Sequence, residues 1–140
     1  MRRLAAADHG LAVVVTQRAD GSPACSIVNA GVYDHPLTHQ PAVAFVSRGD
    51  ARRLEHLRQR PRMTLVFRAG WQWIAVEGDV QLAGPDDPMS GLPISLPRLL
   101  REIFLAAGGS HDNWDEYDRV MAAERRTAVI LSIERVYGNR

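Results

Sequence analysis

Leu11-Ala12-Val13-Val14-Val15-Thr16-Gln17-Arg18 runs into Ala19-Asp20-Gly21-Ser22, and Pro23-Ala24-Cys25-Ser26-Ile27-Val28-Asn29-Ala30-Gly31-Val32-Tyr33 follows. The first run is rich in β-branched residues, and Asp-Gly between two such runs is the strongest short-range signal for a hairpin. The chain therefore opens as an antiparallel β protein. Before the hairpin, residues 3–8 suit one or two helical turns. After it, a His/Pro loop over residues 34–41 leads to a third strand at 42–46, and a fourth follows at 63–67. Ala69-Gly70 turns into a long fifth strand at 71–82.

A loop rich in Pro, Gly and Asp, residues 84–93, then changes the period from two to 3.6. Leu96, Leu99, Leu100, Ile103, Phe104 and Ala107 mark an amphipathic helix, stopped by Gly108-Gly109. A second helix begins after Asn113, with Asp115 suited to its dipole and Glu116 three residues on as a capping-box variant. Its inner face is Trp114, Tyr117 and Met121, and Arg125-Arg126 sit at its C-terminal end. Residues 127–136 read as a sixth strand. The expected fold is mainly β: a six-stranded antiparallel barrel, which hides its edges, in one domain over residues 1–140, with a helical insertion at about 94–124. Such a short chain often completes its core by dimerisation.

At 140 residues, with 46% apolar and 24% charged residues, the composition is that of an ordinary globular protein. All 17 basic residues are Arg, so the choice of Arg over Lys at any one position carries no information. A net charge of +1 argues against a nucleic-acid or membrane-surface partner. No apolar run approaches the ~18 residues of a membrane span. The single Cys25 excludes an internal disulfide, and its apolar strand suggests buried packing rather than nucleophilic work. Residues 4–7 are too short for a signal segment. These features together lead us to expect a cytoplasmic protein.

The basic residues are unevenly spread. Seven of them lie between Arg48 and Arg68, around Ser47-Arg48-Gly49-Asp50-Ala51-Arg52-Arg53-Leu54-Glu55-His56-Leu57-Arg58-Gln59-Arg60-Pro61-Arg62. A strand enters a Gly-Asp turn, a short helix follows with Asp50 as its expected N-cap, and Pro61 closes it. Arg52 and Arg53 then occupy the first turn, at the positive end of the dipole, where acids are preferred. A bound anion would resolve that conflict. A solvated basic face is the other reading, and both stay open. Trp71 and Trp73 fall on one strand face, which suits rim packing, a dimer contact or the wall of an aromatic pocket.

Other chemistry finds no support. There is no P-loop, dinucleotide fingerprint or nucleophile elbow. His35 and His39 lack a third ligand for zinc, so no metal site is expected. Asp86-Asp87 and Asp115-Glu116 read as loop solvation and helix capping, and no residue stands out as a catalytic acid or base.

The segments Leu54 through Arg62, Gly70-Trp71 with Val76-Glu77-Gly78, His111-Asp112-Asn113-Trp114-Asp115-Glu116-Tyr117, Glu124-Arg125-Arg126 and Ile133-Glu134-Arg135-Val136-Tyr137-Gly138 resemble one family. It is the pyridoxamine 5'-phosphate oxidase-like split β-barrel family, in its actinobacterial branch that uses the deazaflavin coenzyme F420. The resemblance covers nearly the whole chain. It implies an FMN-binding type of split barrel and a homodimer with the coenzyme in an interface groove, transferring hydride to a small organic substrate. The family's usual Lys falls on Arg53, its usual Asn on His56, and its Arg two residues before the Lys on Ala51. Arg48, Arg52 and Arg53 would then meet the phosphate and acidic tail, and Ser26, Asn29 and Ser47 would hydrogen-bond along the coenzyme. Trp71 and Trp73 would line the ring or substrate end, from either subunit. FMN in the same barrel and a non-catalytic F420 carrier are the alternatives.

Overall fold

The Asp20-Gly21 turn closes the expected hairpin. Gly21 takes φ +87°, and the Asp20 carboxylate accepts from the Ser22 amide (3.0 Å) and hydroxyl (2.6 Å), which ties the turn to its own backbone. It joins β1 (Leu11–Gln17) to β2 (Pro23–Asp34), in register from Leu11 opposite Asn29 to Gln17 opposite Pro23. The structure, a computed structural model, describes residues 1–139; Arg140 lies outside them.

The remaining elements are α1 (Arg2–Ala7), β3 (Pro41–Ser47), α2 (Arg52–Gln59), β4 (Arg62–Ala69), β5 (Gln72–Ala83), α3 (Leu96–Ala106), α4 (Trp114–Ala123), β6 (Thr127–Ser132) and β7 (Arg135–Gly138). Antiparallel pairing runs β1-β2-β3-β6-β5-β4 and returns from β4 to β1, so six strands close a barrel and β7 adds a seventh along β5. The fold is mainly β, as the sequence predicts. Val14, Phe45, Leu65, Phe67, Val76 and Leu131 fill the interior, joined by Leu54 and Leu57 of α2. A second core forms outside the barrel. There Ala42, Ala44, Ala128 and Ile130, on the outer faces of β3 and β6, meet Leu99, Leu100 and Ile103 of α3 and Tyr117 of α4. Helix α4 starts as its sequence predicts, with Asn113 Oδ1 accepting from the Glu116 amide (3.1 Å), and Ser95 caps α3, its Oγ accepting from the Arg98 amide (3.3 Å).

The barrel is split because β2 exchanges partners. Residues Pro23 to Asn29 pair with β1 alone, whereas Ala30 to Asp34 pair with β3. Val46 and Ser47, at the end of β3, pair with β6 but not with β2. A gap therefore opens between the first half of β2 and the end of β3.

The expected sixth strand, 127–136, is two strands. Leu131 lies opposite Val80 of β5, but Arg135 lies opposite Glu77, so one extra residue intervenes on the β6–β7 side. That is a bulge, and it lies beside Gly78, where a Cβ would overlap the Ser132 carbonyl oxygen. The other correction concerns Cys25, which is exposed rather than buried. It pairs with Val15 on the outward face of the hairpin, next to Ile27 opposite Val13. Leu11, Val13 and Ile27 on this face are exposed too, so apolar residues line both faces of the strands and their apolarity does not identify the core.

Among the described residues, no helix is long and apolar enough to cross a membrane. None of them forms a His/Cys/Asp/Glu group placed to hold a metal ion.

Gly78→Ala sets a methyl group against a backbone carbonyl that cannot swing aside. It should lower the unfolding free energy by about 1–3 kcal/mol, as overpacking does. Urea denaturation monitored by circular dichroism checks this, and an unchanged midpoint would contradict the close approach.

Candidate functional site

The basic segment folds differently at its start from the sequence expectation. The N-cap of α2 is Ala51, which has no side chain able to cap it, and the Asp50 carboxylate instead sits 3.4 Å from Arg48 Nε. The cause is a turn one residue further along: the Ala51 amide donates to the Arg48 carbonyl (3.2 Å), and the Gly49 amide donates to Glu124 O (3.1 Å). Arg52 and Arg53 are thus the first two residues of the helix. Among the described residues, their backbone N–H groups have no partner, which leaves the positive end of the dipole open.

Arg53 turns inward into the gap between β2 and β3. Its Nη1 donates to Ser47 Oγ (3.0 Å) and its Nε to Ser26 Oγ (3.3 Å), so the guanidinium bridges two strands that their backbones leave unpaired. Ser47 is only 1% exposed, and its own hydroxyl donates to the Arg48 carbonyl (3.1 Å). Among the described residues no carboxylate pairs with Arg53. Burial, and then the charge of Arg126, push its guanidinium below its usual pKa. A half-buried cation flanked by a second cation, and held only by neutral hydroxyls, is an arrangement that an anion would stabilise.

Beside Arg53 lies a cleft of about 530 Å³ between the hairpin and α2. Thr16, Arg18, Ser26, Arg52, His56 and Arg60 contribute to its walls. Thr16 Oγ1 lies 2.9 Å from His56 Nδ1, which fixes the imidazole against β1. Arg52 is exposed at the helix start, and Glu55 is the one acid lining the cleft. The cleft falls within the ~300–1,000 Å³ typical of small-molecule sites. Its charge suits an anionic ligand.

No protein-family model matches the chain. Among solved structures, the chain is similar to a pyridoxamine 5'-phosphate oxidase-related, FMN-binding protein from Nostoc punctiforme, with a TM-score of 0.63 and 14% identity, over 98% of this chain and 77% of that one. It is similar to an F420 reductase, with a TM-score of 0.61 and 10% identity, over 91% and 88% of the two chains. A heme-binding protein from Mycobacterium smegmatis gives a TM-score of 0.65 and 15% identity over 99% of this chain, which spans only 51% of that protein. The fold is the split barrel. At such identities the likeness extends to the fold alone.

Within this split barrel, Ser26, Ser47 and Arg53 come together as one hydrogen-bonded group, with Arg52 at its edge. Arg48 is exposed, next to Asp50. Asn29 lies further along β2, where its Nδ2 donates to His9 O (2.5 Å). Trp71 and Trp73 lie elsewhere. Gly70 takes φ +61° and β5 begins only at Gln72, so Trp71 projects from the β4–β5 turn, 93% exposed. Trp73 packs edge-on against Tyr137, with ring centroids 6.1 Å apart. The two indoles do not share one environment, because the turn extends through Trp71. Phe67, close to this turn, pairs with Ala12 near the start of β1, whereas α2 reaches Thr16 near its end. Within one chain the indoles therefore lie beyond the start of β1, whereas Arg53 is set against the middle of the hairpin, at Ser26 opposite Val14.

The sequence reading missed Arg126 and Thr16, whereas His56, on which the family's usual Asn falls, does line the cleft. Arg126 reads as a helix C-terminal cation. Its place beside Arg53 depends on Ser47 lying opposite Thr127 and on Gly49, where a Cβ would overlap the Arg125 backbone. No local signal announces that approach.

Arg53→Ala should leave stability within about 1 kcal/mol of the wild type, because losing two hydrogen bonds is offset by removing a desolvated cation, and Ser47 keeps its bond to Arg48 O. Pyrophosphate at a hundred times its Kd should stabilise the wild type by about 2.7 kcal/mol and the variant far less. Equal thermal shifts in both proteins would remove Arg53 from the anion site.

Proposed function

We propose that the protein is an F420-dependent oxidoreductase that transfers hydride to a small organic molecule. The observation that carries this reading is Arg53, half-buried, without a carboxylate partner among the described residues and next to Arg126 at the open end of α2. The cleft fits an elongated polyanion: Arg53 and the free N–H groups of α2 would hold a phosphate, and Arg18, Arg52 and Arg60 at its walls would follow an acidic tail. FMN, with its single terminal phosphate, is the second reading, and the solved FMN-binding structure keeps it in play. The additional arginines favour the more highly charged deazaflavin. A non-catalytic carrier would use the same contacts without turnover.

The deazaflavin, when bound, supplies hydride from its own ring carbon, so the chain need not provide a nucleophile. The residues bind and orient. Ser26 and Ser47 fix the Arg53 fork, and Thr16 holds His56 at the cleft wall. Leu54 and Leu57, buried below the helix, hold α2 and its two N-terminal arginines in place.

A homodimer belongs to the proposal. Leu11, Val13 and Ile27, the last 61% exposed, form an outward apolar face on adjacent strands. A second copy docked on that face with its strands reversed would bring the exposed Trp71 of one chain toward the Arg53 end of the other. Trp71 and Trp73 act on the coenzyme only in such a pair, since in one chain they lie beyond the start of β1, away from Arg53.

Titration of the purified protein with F420 and with FMN tests the function, followed by turnover assays against hydride acceptors. Arg53→Ala should weaken F420 binding by about 1.5–3 kcal/mol, the range for a hydrogen bond to a charged group. Unchanged affinity would sink the phosphate assignment, and tighter binding of FMN would select the alternative coenzyme. For the dimer, Ile27→Glu should give a folded monomer by sedimentation velocity and lose most of the coenzyme affinity. A wild-type monomer that still binds F420 would contradict the interface site.

A further inference from the structure

On the other side of the gap from the α2 cleft lies a second cavity, of about 220 Å³, whose walls share only Asn29 with the expected coenzyme contacts. Asn29 of β2, Ile103 and Phe104 of α3, Tyr117 and Met121 of α4, and Arg126 line it. Its walls are mostly apolar and aromatic. Phe104 and Tyr117 pack with their rings tilted by 40° at 5.0 Å between centroids, and Trp114 meets Tyr117 edge-on at 5.3 Å behind them. The Tyr117 hydroxyl donates to Leu100 O (3.2 Å), and burial pushes its pKa up to about 12, so this wall stays uncharged at neutral pH.

One end of the cavity is formed by Arg126, which is ion-paired with Glu124. Arg126 donates through Nε to Glu124 (2.8 Å), while among the described residues its two terminal nitrogens have no partner. The backbone that delivers this guanidinium is strained. Helix α4 ends in a Schellman turn, with the Arg125 amide donating to Ala122 O (3.1 Å) and the Arg126 amide to Met121 O (2.9 Å). The left-handed position, φ +49°, falls on Arg125 where glycine would be unstrained. Arg125 is tied to Asp86 by two hydrogen bonds, at 2.5 and 3.1 Å, which hold the turn and so fix where Arg126 emerges.

We propose that this cavity is the substrate subsite and that it takes a single-ring, apolar carboxylate, with the ring against Phe104, Tyr117 and Met121 and the carboxylate on Arg126. The volume is below the ~300–1,000 Å³ of sites for drug-sized ligands, so a single ring is the appropriate scale. The two neighbouring guanidinium groups then divide the work: Arg53 faces the coenzyme's phosphate and Arg126 the substrate's carboxylate. This inference rests on the oxidoreductase reading for the word substrate, but the cavity itself can be tested without any coenzyme.

The test uses the coenzyme-free protein and benzoate, with benzyl alcohol as a neutral ring of similar size and acetate as a carboxylate without a ring. Binding is read by calorimetry and by Trp114 emission in a Trp71→Phe/Trp73→Phe background. Benzoate should bind saturably, and benzyl alcohol and acetate each at least about tenfold more weakly. Arg126→Gln should weaken benzoate about ten- to a hundredfold, the effect of losing a charge-assisted contact, and leave benzyl alcohol unchanged. Arg53→Gln should keep benzoate within about threefold while losing the coenzyme. Met121→Trp should fill the cavity and abolish benzoate binding; if that variant does not fold, Arg126→Gln decides. The proposal is overturned if wild-type protein binds no benzoate, if Arg126→Gln binds it unchanged, or if Arg53→Gln loses it equally. Failure of both F420 and FMN to bind, with the benzoate result intact, would instead remove the coenzyme reading and leave the cavity as a carboxylate site.

Discussion

The first half of β2 and the end of β3 cannot reach each other, and the groups exposed by that gap shape the rest of the molecule. Closing six strands on a small interior bends β2 so that its seven N-terminal residues follow β1 and its last five follow β3. The backbone edge thereby bared would be a liability in an ordinary sheet. Here a side chain spans it: the Arg53 fork touches one hydroxyl on each strand. Since serine hydroxyls neutralise no charge, the same contact that ties the strands leaves a cation in a half-buried place. Structure and site thus arise from one constraint.

That cation is held at some cost, and the cost is spread over neighbouring elements. Ala51 fails to cap α2, Arg125 sits in a left-handed conformation unsuited to it, and Arg126 is brought beside a like charge. Each feature alone would be a minor local defect of about 1 kcal/mol. Together they converge on one gap, from α2, from the Gly49 turn and from the α4–β6 junction. Gly49 can press on the Arg125 backbone only because it has no Cβ. All of these features point at one common space, the one the proposed coenzyme would occupy. The opposite arrangement holds at the far rim of α2, where Arg58 is paired with Asp87 through two hydrogen bonds of 2.9 and 2.8 Å and serves the scaffold.

Local rules made much of the fold legible. Asp20-Gly21 fixed the hairpin, the 3.6-residue period of Leu96 through Ala107 fixed α3, and Asn113 with Glu116 fixed the start of α4. Where the outcome depended on two distant segments, the sequence was silent. The break between β6 and β7 comes from a register change against Gly78, which nothing within residues 127–136 encodes. Cys25 looked like core because its strand is apolar on both faces, and only pairing with Val15 shows which face turns out. Among site residues, Arg52 and Arg53 stood out through their conflict with the helix dipole. Arg126 stood in a favourable place at a helix end and so raised no conflict. Trp71 and Trp73 were linked by strand alternation, which ceases to apply once the turn extends through Trp71.

The helices between β5 and β6 matter because of where α3 comes to rest. At Gly31, just past the point where β2 changes partners, a Cβ would overlap the backbone at Ala106, so the C-terminal end of α3 lies directly on the strand. Gly10 meets the same helix end, at the Ala107 carbonyl, from the side of β1. Two glycines thus let α3 approach far enough to roof the gap while Leu99 and Ile103 anchor it on β3 and β6. A helix set further out would leave Val46 open to solvent, and no cavity would remain under Phe104. The gap is therefore bounded on one side by the charged start of α2 and on the other by an aromatic roof. The two differ because α2 presents its polar N-terminus to the gap, whereas α3 and α4 present their apolar faces.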